Sequence, residues 1–188
     1  MPNPPLDTTL LDRAVCYAVR AHAGTQRRGK GFPYIVHPLE AVAIVATVTS
    51  DQELLAAAAL HDTVEDTDAT VEDIRREFGG RIASLVTDET DPFPPQTPWR
   101  VRKQAAIDRV AKASRDAKIV ALGDKLSNMR AMALDYEALG ESLWSRFHAD
   151  SPDDIAWYYR GQLEALRELE GTAPFREFET LINQLWKR

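Results

Sequence analysis

At 188 residues, 44% hydrophobic and 28% charged, the chain holds enough apolar material for one well-buried core and too little for two, so a single domain over residues 1–188 is expected. A formal net charge of −6 argues against non-specific binding to nucleic acid or to an anionic membrane, since both reward a basic surface. No apolar run approaches the roughly 20 residues that span a bilayer.

The first residues, "MPNPPLDTTLLDR", lack the basic and apolar segments of a signal peptide, and the single cysteine, Cys16, has no internal disulfide partner. Both observations lead us to expect a soluble protein of the reducing cytoplasm. Leu10, Leu11, Ala14, Val15, Ala18 and Val19 keep the spacing of an amphipathic helix, with Cys16 inside the pattern as a small buried hydrophobe. That helix runs out in "HAGTQRRGKGFP", where Thr25 to Gly31 carry three cationic side chains in a glycine-rich loop suited to a small anion.

"HPLEAVAIVATV" reopens a helix, with His37 near the N-cap and Pro38 at the first helical position, where a missing N–H costs nothing. Ser50 and Glu53 have capping-box spacing, so the next helix is expected from about Asp51 to His61. Thr70 with Asp73 predicts a cap for the short peripheral helix "VEDIRREF", whose Val71, Ile74 and Phe78 share one face before Gly79 and Gly80 stop it. "TDPFPPQTP", with four prolines, is a loop over residues 90–98. Helical patterns then follow in "WRVRKQAAIDRVAKAS", "DAKIVALGDKLSNMRAM", "YEALGESLWSRF", "PDDIAWYYRGQLEALRELE" and "FREFETLINQLWK". In the second of these, Val120, Leu122, Leu126, Met129 and Met132 face inward. No alternating strand or solenoid-period repeat is visible, so the expected fold is all-α, a compact multi-helix domain. Near the C-terminus, Leu181, Ile182, Leu185 and Trp186 either close the core or face a second copy in a homo-oligomer.

Four polar residues interrupt otherwise apolar patterns: His37, the adjacent His61 and Asp62, and Asp124 in "KIVALGDKLSNM". Taken singly, each has a plain structural role, as a helix cap, a hydrogen-bonded core histidine or a solvated aspartate. Together they form a mixed nitrogen and oxygen ligand set suited to a borderline divalent metal such as manganese, iron or zinc. A metal also offsets the cost of placing carboxylates on such apolar helices. Glu65 and Asp66 follow Asp62 by three and four residues. They form either a solvated acidic turn or a pair that orients and deprotonates a water activated by the metal.

Gly24 to Gly31 nearly spells the phosphate-binding loop G-x-x-x-x-G-K-[ST], but Gly31 replaces the hydroxyl residue and no strand precedes it, so a P-loop is rejected. Arg27, Arg28 and Lys30 remain able to meet phosphates, and an arginine also stacks on a base. Asn128 lies one helical turn after Asp124, and Tyr158 in "WYYR" is either core or a ligand contact.

"PYIVHP", "AALHDTVEDTDAT" followed by "FGGRIASLV", and "AKIVALGDKLSNMR" stand in one order and at one spacing. With these blocks the chain resembles the HD-superfamily hydrolase domain of the RelA/SpoT homologues, most closely the stand-alone small alarmone hydrolases of the Mesh1 type. The resemblance covers about Val15 to Leu169. It implies an all-helical fold and a manganese site, with His37, His61, Asp62 and Asp124 on the ligand positions and Glu65 and Asp66 as the acidic catalytic pair. The implied reaction is hydrolysis of the 3′-pyrophosphate of ppGpp or pppGpp, the nucleotides of the stringent response, to GDP or GTP and pyrophosphate. Arg27 or Arg28, Asn128 and Tyr158 fall on nucleotide-contacting positions. Departures lie around the site: "KGFPY" replaces the common "SGEPY", so that Phe32 stands in place of an acidic residue, and "LVTDETDPFPP" differs from the usual run. The same metal centre would also serve a phosphohydrolase of another nucleotide such as NADPH. A low-turnover binding or antitoxin-like protein is the alternative outside enzymes.

Overall fold

Seven successive residues, Leu54 to Leu60, carry no polar side chain, and a helix made of them has no face to offer to water. In the computed structural model, which describes residues 7–94, 96–147, 149 and 151–187, that segment is α3 (Gln52–Leu60), and every residue from Leu54 to Leu60 is buried. A helix apolar all round must be covered all round. α1 (Thr9–Ala21), α2 (Val36–Ala46), α6 (Gly80–Glu89) and α8 (Arg115–Leu139) do so. Each of its three leucines contributes roughly 1.5–3 kcal/mol by leaving water.

α8 is the second axis of the fold. Its 25 residues pack against α2 and α10 (Ala173–Leu185) and reach α3, α6 and α7 (Trp99–Lys112). α7 pairs with α9 (Pro152–Ala165), so the two form a wall facing the α2–α3–α8 layer. The remaining elements are the short α4 (Thr63–Asp66), the peripheral α5 (Val71–Phe78), and 3-10 turns at Gly140–Arg146 and Arg167–Leu169. Among the described residues there is no strand; a single antiparallel bridge joins Gln26 and Pro33. The fold is all-α, as the helical patterns predict.

Two glycines set close approaches. A Cβ on Gly123 would lie 2.7 Å from Val45 Cγ2 and 3.0 Å from the Ala41 carbonyl oxygen, so α2 and α8 meet there. A Cβ on Gly161 would lie 2.5 Å from Ile107 Cδ1, where α9 meets α7.

Several local expectations are corrected. Cys16 is exposed and Val19 is 46% accessible, because α1 turns Ala14 and Ala18 to α3 and leaves Cys16 on the opposite face. α2 begins at Val36, so His37 is its second residue and caps nothing, and Pro38 is its third, still within the turn where N–H groups lack partners. Asp51, not Ser50, caps α3 by accepting from the Glu53 N–H, while the Glu53 carboxylate goes to Arg81. Gly79 ends α5, but Gly80 opens α6, whose Ile82, Ala83, Leu85 and Val86 are buried. "YEAL" is not a new helix: α8 runs through it until Gly140, and the rest is the 3-10 turn.

Elsewhere the patterns hold. Thr70 and Asp73 form the full capping box of α5. The described residues of 90–98 form neither helix nor strand; Pro95 lies outside the described residues, as do residues 1–6 of the N-terminal stretch. Leu181, Ile182, Leu185 and Trp186 pack against the core, and Trp186 stacks on Trp144 and Tyr159 at 5.6 Å and 6.0 Å.

Candidate active site

Three helices deliver one cluster. His37 projects from the first turn of α2, His61 from the C-terminal end of α3 with Asp62 next to it, and Asp124 from the middle of α8. His37 Nε2 lies 3.2 Å from His61 Nε2, 3.2 Å from Asp62 Oδ2 and 3.1 Å from Asp124 Oδ1. His61 Nε2 lies 2.9 Å from Asp62 Oδ2 and 3.5 Å from Asp124 Oδ1. His37, His61 and Asp62 offer ligand atoms that all fall within 4.8 Å of one another.

The partners on the far side of each ring assign the tautomers. His61 Nδ1 lies 2.8 Å from the Ala58 carbonyl oxygen, which only accepts, so Nδ1 carries the proton. Ser127 Oγ donates to Glu40 at 2.7 Å, which leaves it to accept from His37 Nδ1 at 2.8 Å. Both Nε2 atoms therefore turn lone pairs toward each other across 3.2 Å. Positive charge between them reconciles that geometry. The two nitrogens, two carboxylate oxygens and outer hydrogen bonds suit a borderline divalent cation.

The electrostatics agree. Burial opposes charge on His61, yet the Asp62 and Asp124 carboxylates outweigh it and hold its pKa well above 6.5. Burial alone would raise Asp62 and Asp124, but His61 and His37 beside the first, and Lys125 with both imidazoles beside the second, hold them well below 3.8. A cluster that stabilises cationic charge also stabilises a cation.

The cluster opens into a cavity of about 500 Å³, in the size range of small-molecule sites. Glu65 and Asp66, at the end of α4, line it with accessible carboxylates. Crowding by protein pushes both pKa values up, and the Asp62 charge adds to the rise for each, while the Asp91 N–H holds Glu65 Oε2 at 3.0 Å. Raised carboxylates in a cleft are suited to proton transfer.

Arg27, Arg28, Asn128 and Tyr158 all line the cavity. Arg27 donates to Asn128 Oδ1, and its guanidinium lies 5.3 Å from the Tyr34 ring centroid. Lys30 is stapled to α8 through the Ala131 carbonyl at 2.9 Å and Asp135 at 2.6 Å, so it anchors the loop. Gly29, at φ 72°, lets the loop pass under Arg146, whose Nη1 would be 2.6 Å from a Cβ there.

Sequence reasoning left out five contributors. The Tyr34 hydroxyl donates to Asp62 Oδ2 at 2.7 Å. Ser127 and Glu40 orient His37. Lys125 binds Asp124 and, at 3.2 Å, Glu89, and it is the counter-charge that an aspartate only 6% accessible requires. Lys103 lines the cavity from α7. Ser127 three residues after Asp124 and Lys125 beside it carry a helical-spacing signal; Lys103, between Arg100, Arg102 and Gln104, carries none.

Residues 14–147 match the family model described as the HD domain. The chain belongs to the HD-domain family. Within it, the RelA/SpoT resemblance is shown by named relatives. Over 182 residues, this HD-domain chain is 32% identical to the human protein named guanosine-3′,5′-bis(diphosphate) 3′-pyrophosphohydrolase MESH1, covering 95% of this chain and 93% of that one. A GTP pyrophosphokinase of Streptomyces coelicolor is 36% identical over 135 residues, which are 69% of this chain and 16% of the longer one. Among solved structures, a metazoan ortholog of SpoT described as hydrolysing ppGpp superposes with a TM-score of 0.79 at 25% identity, covering 97% of the HD-domain chain and 100% of its own. A Listeria monocytogenes structure superposes with a TM-score of 0.72 at 32% identity, covering 84% and 98%.

Proposed function

We propose that the chain hydrolyses the 3′-pyrophosphate of guanosine 3′,5′-bis(diphosphate) or its 5′-triphosphate analogue, releasing GDP or GTP and pyrophosphate, as a single HD-type domain of the cytoplasm. The observation that carries this is the convergence of His37, His61, Asp62 and Asp124 in one cluster, three of whose members line a nucleotide-sized cavity. It occurs in a chain similar over 95% of its length to a protein named for that activity.

These four residues would hold the metal, and we assign manganese as the resident ion. A divalent cation bound there supplies Lewis acidity toward a phosphoryl oxygen and lowers the pKa of a water. Glu65 and Asp66 take the proton of the attacking water. The new oxygen–phosphorus bond forms as the bond from phosphorus to the ribose 3′-oxygen breaks, and the acidic pair returns a proton to that oxygen. Arg27 and Arg28 meet the nucleotide from the loop, with Asn128, which accepts from Arg27, and Tyr158 also lining the cavity.

Pyrophosphate release from ppGpp by chelator-treated protein, with manganese or another divalent ion restored, is the test. Wild type turns over. Asp62→Ala loses activity through the metal, and Glu65→Ala falls by roughly 10²–10⁴-fold, the range of a general base. Release by wild type no greater than by the variants sinks the proposal, and a scan of other phosphorylated nucleotides, NADPH included, then identifies the substrate.

A further inference from the structure

One half-buried lysine of the cavity makes no close ion pair among the described residues. Lys103 faces the cavity from the middle of α7, together with Trp99, Ala106 and Val110 at helical spacing. Its ammonium stands 5.2 Å from the centroid of the Tyr158 ring, and among the described residues no carboxylate oxygen comes within 4.0 Å of it.

Three neighbouring cations differ. Arg102 is bound to Asp91 at 3.0 Å, Lys125 to Glu89 at 3.2 Å as well as to Asp124, and Lys30 to Asp135 at 2.6 Å. Burial pushes the Lys103 pKa down and the Lys125 and Arg102 charges push it further, with the Glu65 and Asp91 carboxylates acting against them. A crowded cation without an anion is costly, and an anionic ligand offsets that cost.

We propose that Lys103 binds the terminal phosphate of a nucleoside 3′-diphosphate, and thereby selects a diphosphate over a monophosphate at the sugar. This rests on the proposed hydrolysis of such a diphosphate. In that reaction the metal cluster and the Glu65–Asp66 pair act on the phosphorus attached to the ribose. The second phosphate, which leaves as half of pyrophosphate, needs a partner of its own. Lys103 is a cation available to supply it, with its ammonium 5.2 Å from the Tyr158 ring centroid. A 2′- or 3′-monophosphate leaves Lys103 without an anion.

The experiment compares the manganese-loaded full chain with Lys103→Ala, Lys103→Met and Lys103→Arg. The measured quantity is kcat/KM for ppGpp relative to guanosine 5′-diphosphate 3′-monophosphate and to NADPH. Lys103→Ala and Lys103→Met lower that ratio by about tenfold or more, chiefly through KM, the size expected for a hydrogen bond to a charged group. Lys103→Arg, which keeps the cation, restores most of it, a rescue that a purely structural role would not produce. Lys103→Met keeps the length of the stem and guards against a folding defect in the alanine variant.

A second readout needs no turnover. Metal-free wild type binds inorganic pyrophosphate more tightly than inorganic phosphate, and Lys103→Met loses the preference. If wild type turns over NADPH or nothing while this preference stands and depends on Lys103, the proposed hydrolysis fails and the phosphate site survives. If wild type hydrolyses ppGpp and both the kinetic ratio and the pyrophosphate preference are unchanged in Lys103→Met, the lysine assignment is overturned.

Discussion

Tyr34 ties the basic loop to the metal cluster. Its hydroxyl holds Asp62, Arg27 lies over its ring and the buried His22 ring is 4.9 Å away. Arg27 also holds Asn128, whose amide donates to Asp124 Oδ1. Both carboxylates of the cluster are thus aimed from the loop, and hydrogen bonds of this kind orient ligands and raise metal affinity. Tyr34→Phe keeps the ring and removes one bond; it should weaken manganese binding by roughly tenfold to a hundredfold, the usual effect of losing such a partner. Calorimetric titration of the two proteins decides, and equal affinities would mean that the hydroxyl does not aim Asp62. Tyr34 stands in plain sight in "PYIVHP", yet no periodicity marks it. Its contact with Asp62 depends on the loop folding back through the Arg27 N–H to Phe32 carbonyl and Tyr34 N–H to Thr25 carbonyl bonds.

At the scale of elements, His37 and Asp124 come together because α2 and α8 cross at a glycine. Gly123→Ala would drive a Cβ against the Ala41 carbonyl, which belongs to a helix backbone and cannot rotate away. Overpacking of this sort costs typically about 1–3 kcal/mol. Gly123→Ala should therefore lower Tm and, by parting α2 from α8, weaken metal binding as well. An unchanged Tm would show that the helices slide freely at this point. Sequence patterns reveal much at this scale. The apolar run of α3 ending in His61 and Asp62, the α5 capping box and the inward face of α8 are all legible, because helical period and cap chemistry are local properties. α6 is missed because the paired glycines resemble a stop, and α8 is cut short at Met132 because its inward apolar pattern fades there, although no glycine or proline stands between Met132 and Gly140. The wall made by α7 is illegible for a different reason. Lys103 differs from Arg100 only in which way the helix is rolled against α9, and that is set by long-range packing at Gly161 and Ile107.

Across the whole molecule, metal binding and pH compete for the same imidazoles and carboxylates at the cavity. In metal-free protein, His61 has a folded pKa raised above its ordinary 6.5. The stability it contributes is complete below 6.5 and is lost as pH rises through the folded value. Glu65 and Asp66, raised above 4.5 and 3.8 respectively, act in the same direction at lower pH: the protein gains stability as they protonate and gives it up as pH rises through their folded values. Asp62 and Asp124, held well below 3.8, act oppositely, and their contribution fades only as pH falls through those depressed values. Metal-free protein should thus melt progressively earlier as pH rises from 6.5 through the raised folded value at which the His61 proton is lost. A divalent cation takes the place of that proton and binds better where protons compete less, so the rise in Tm on adding manganese should grow with pH over this window. Thermal melts with chelator or with manganese across the series measure the difference directly. A manganese-induced shift that is flat with pH would mean that metal and proton do not share the His37–His61–Asp62–Asp124 cluster, and the ligand assignment would fall with it.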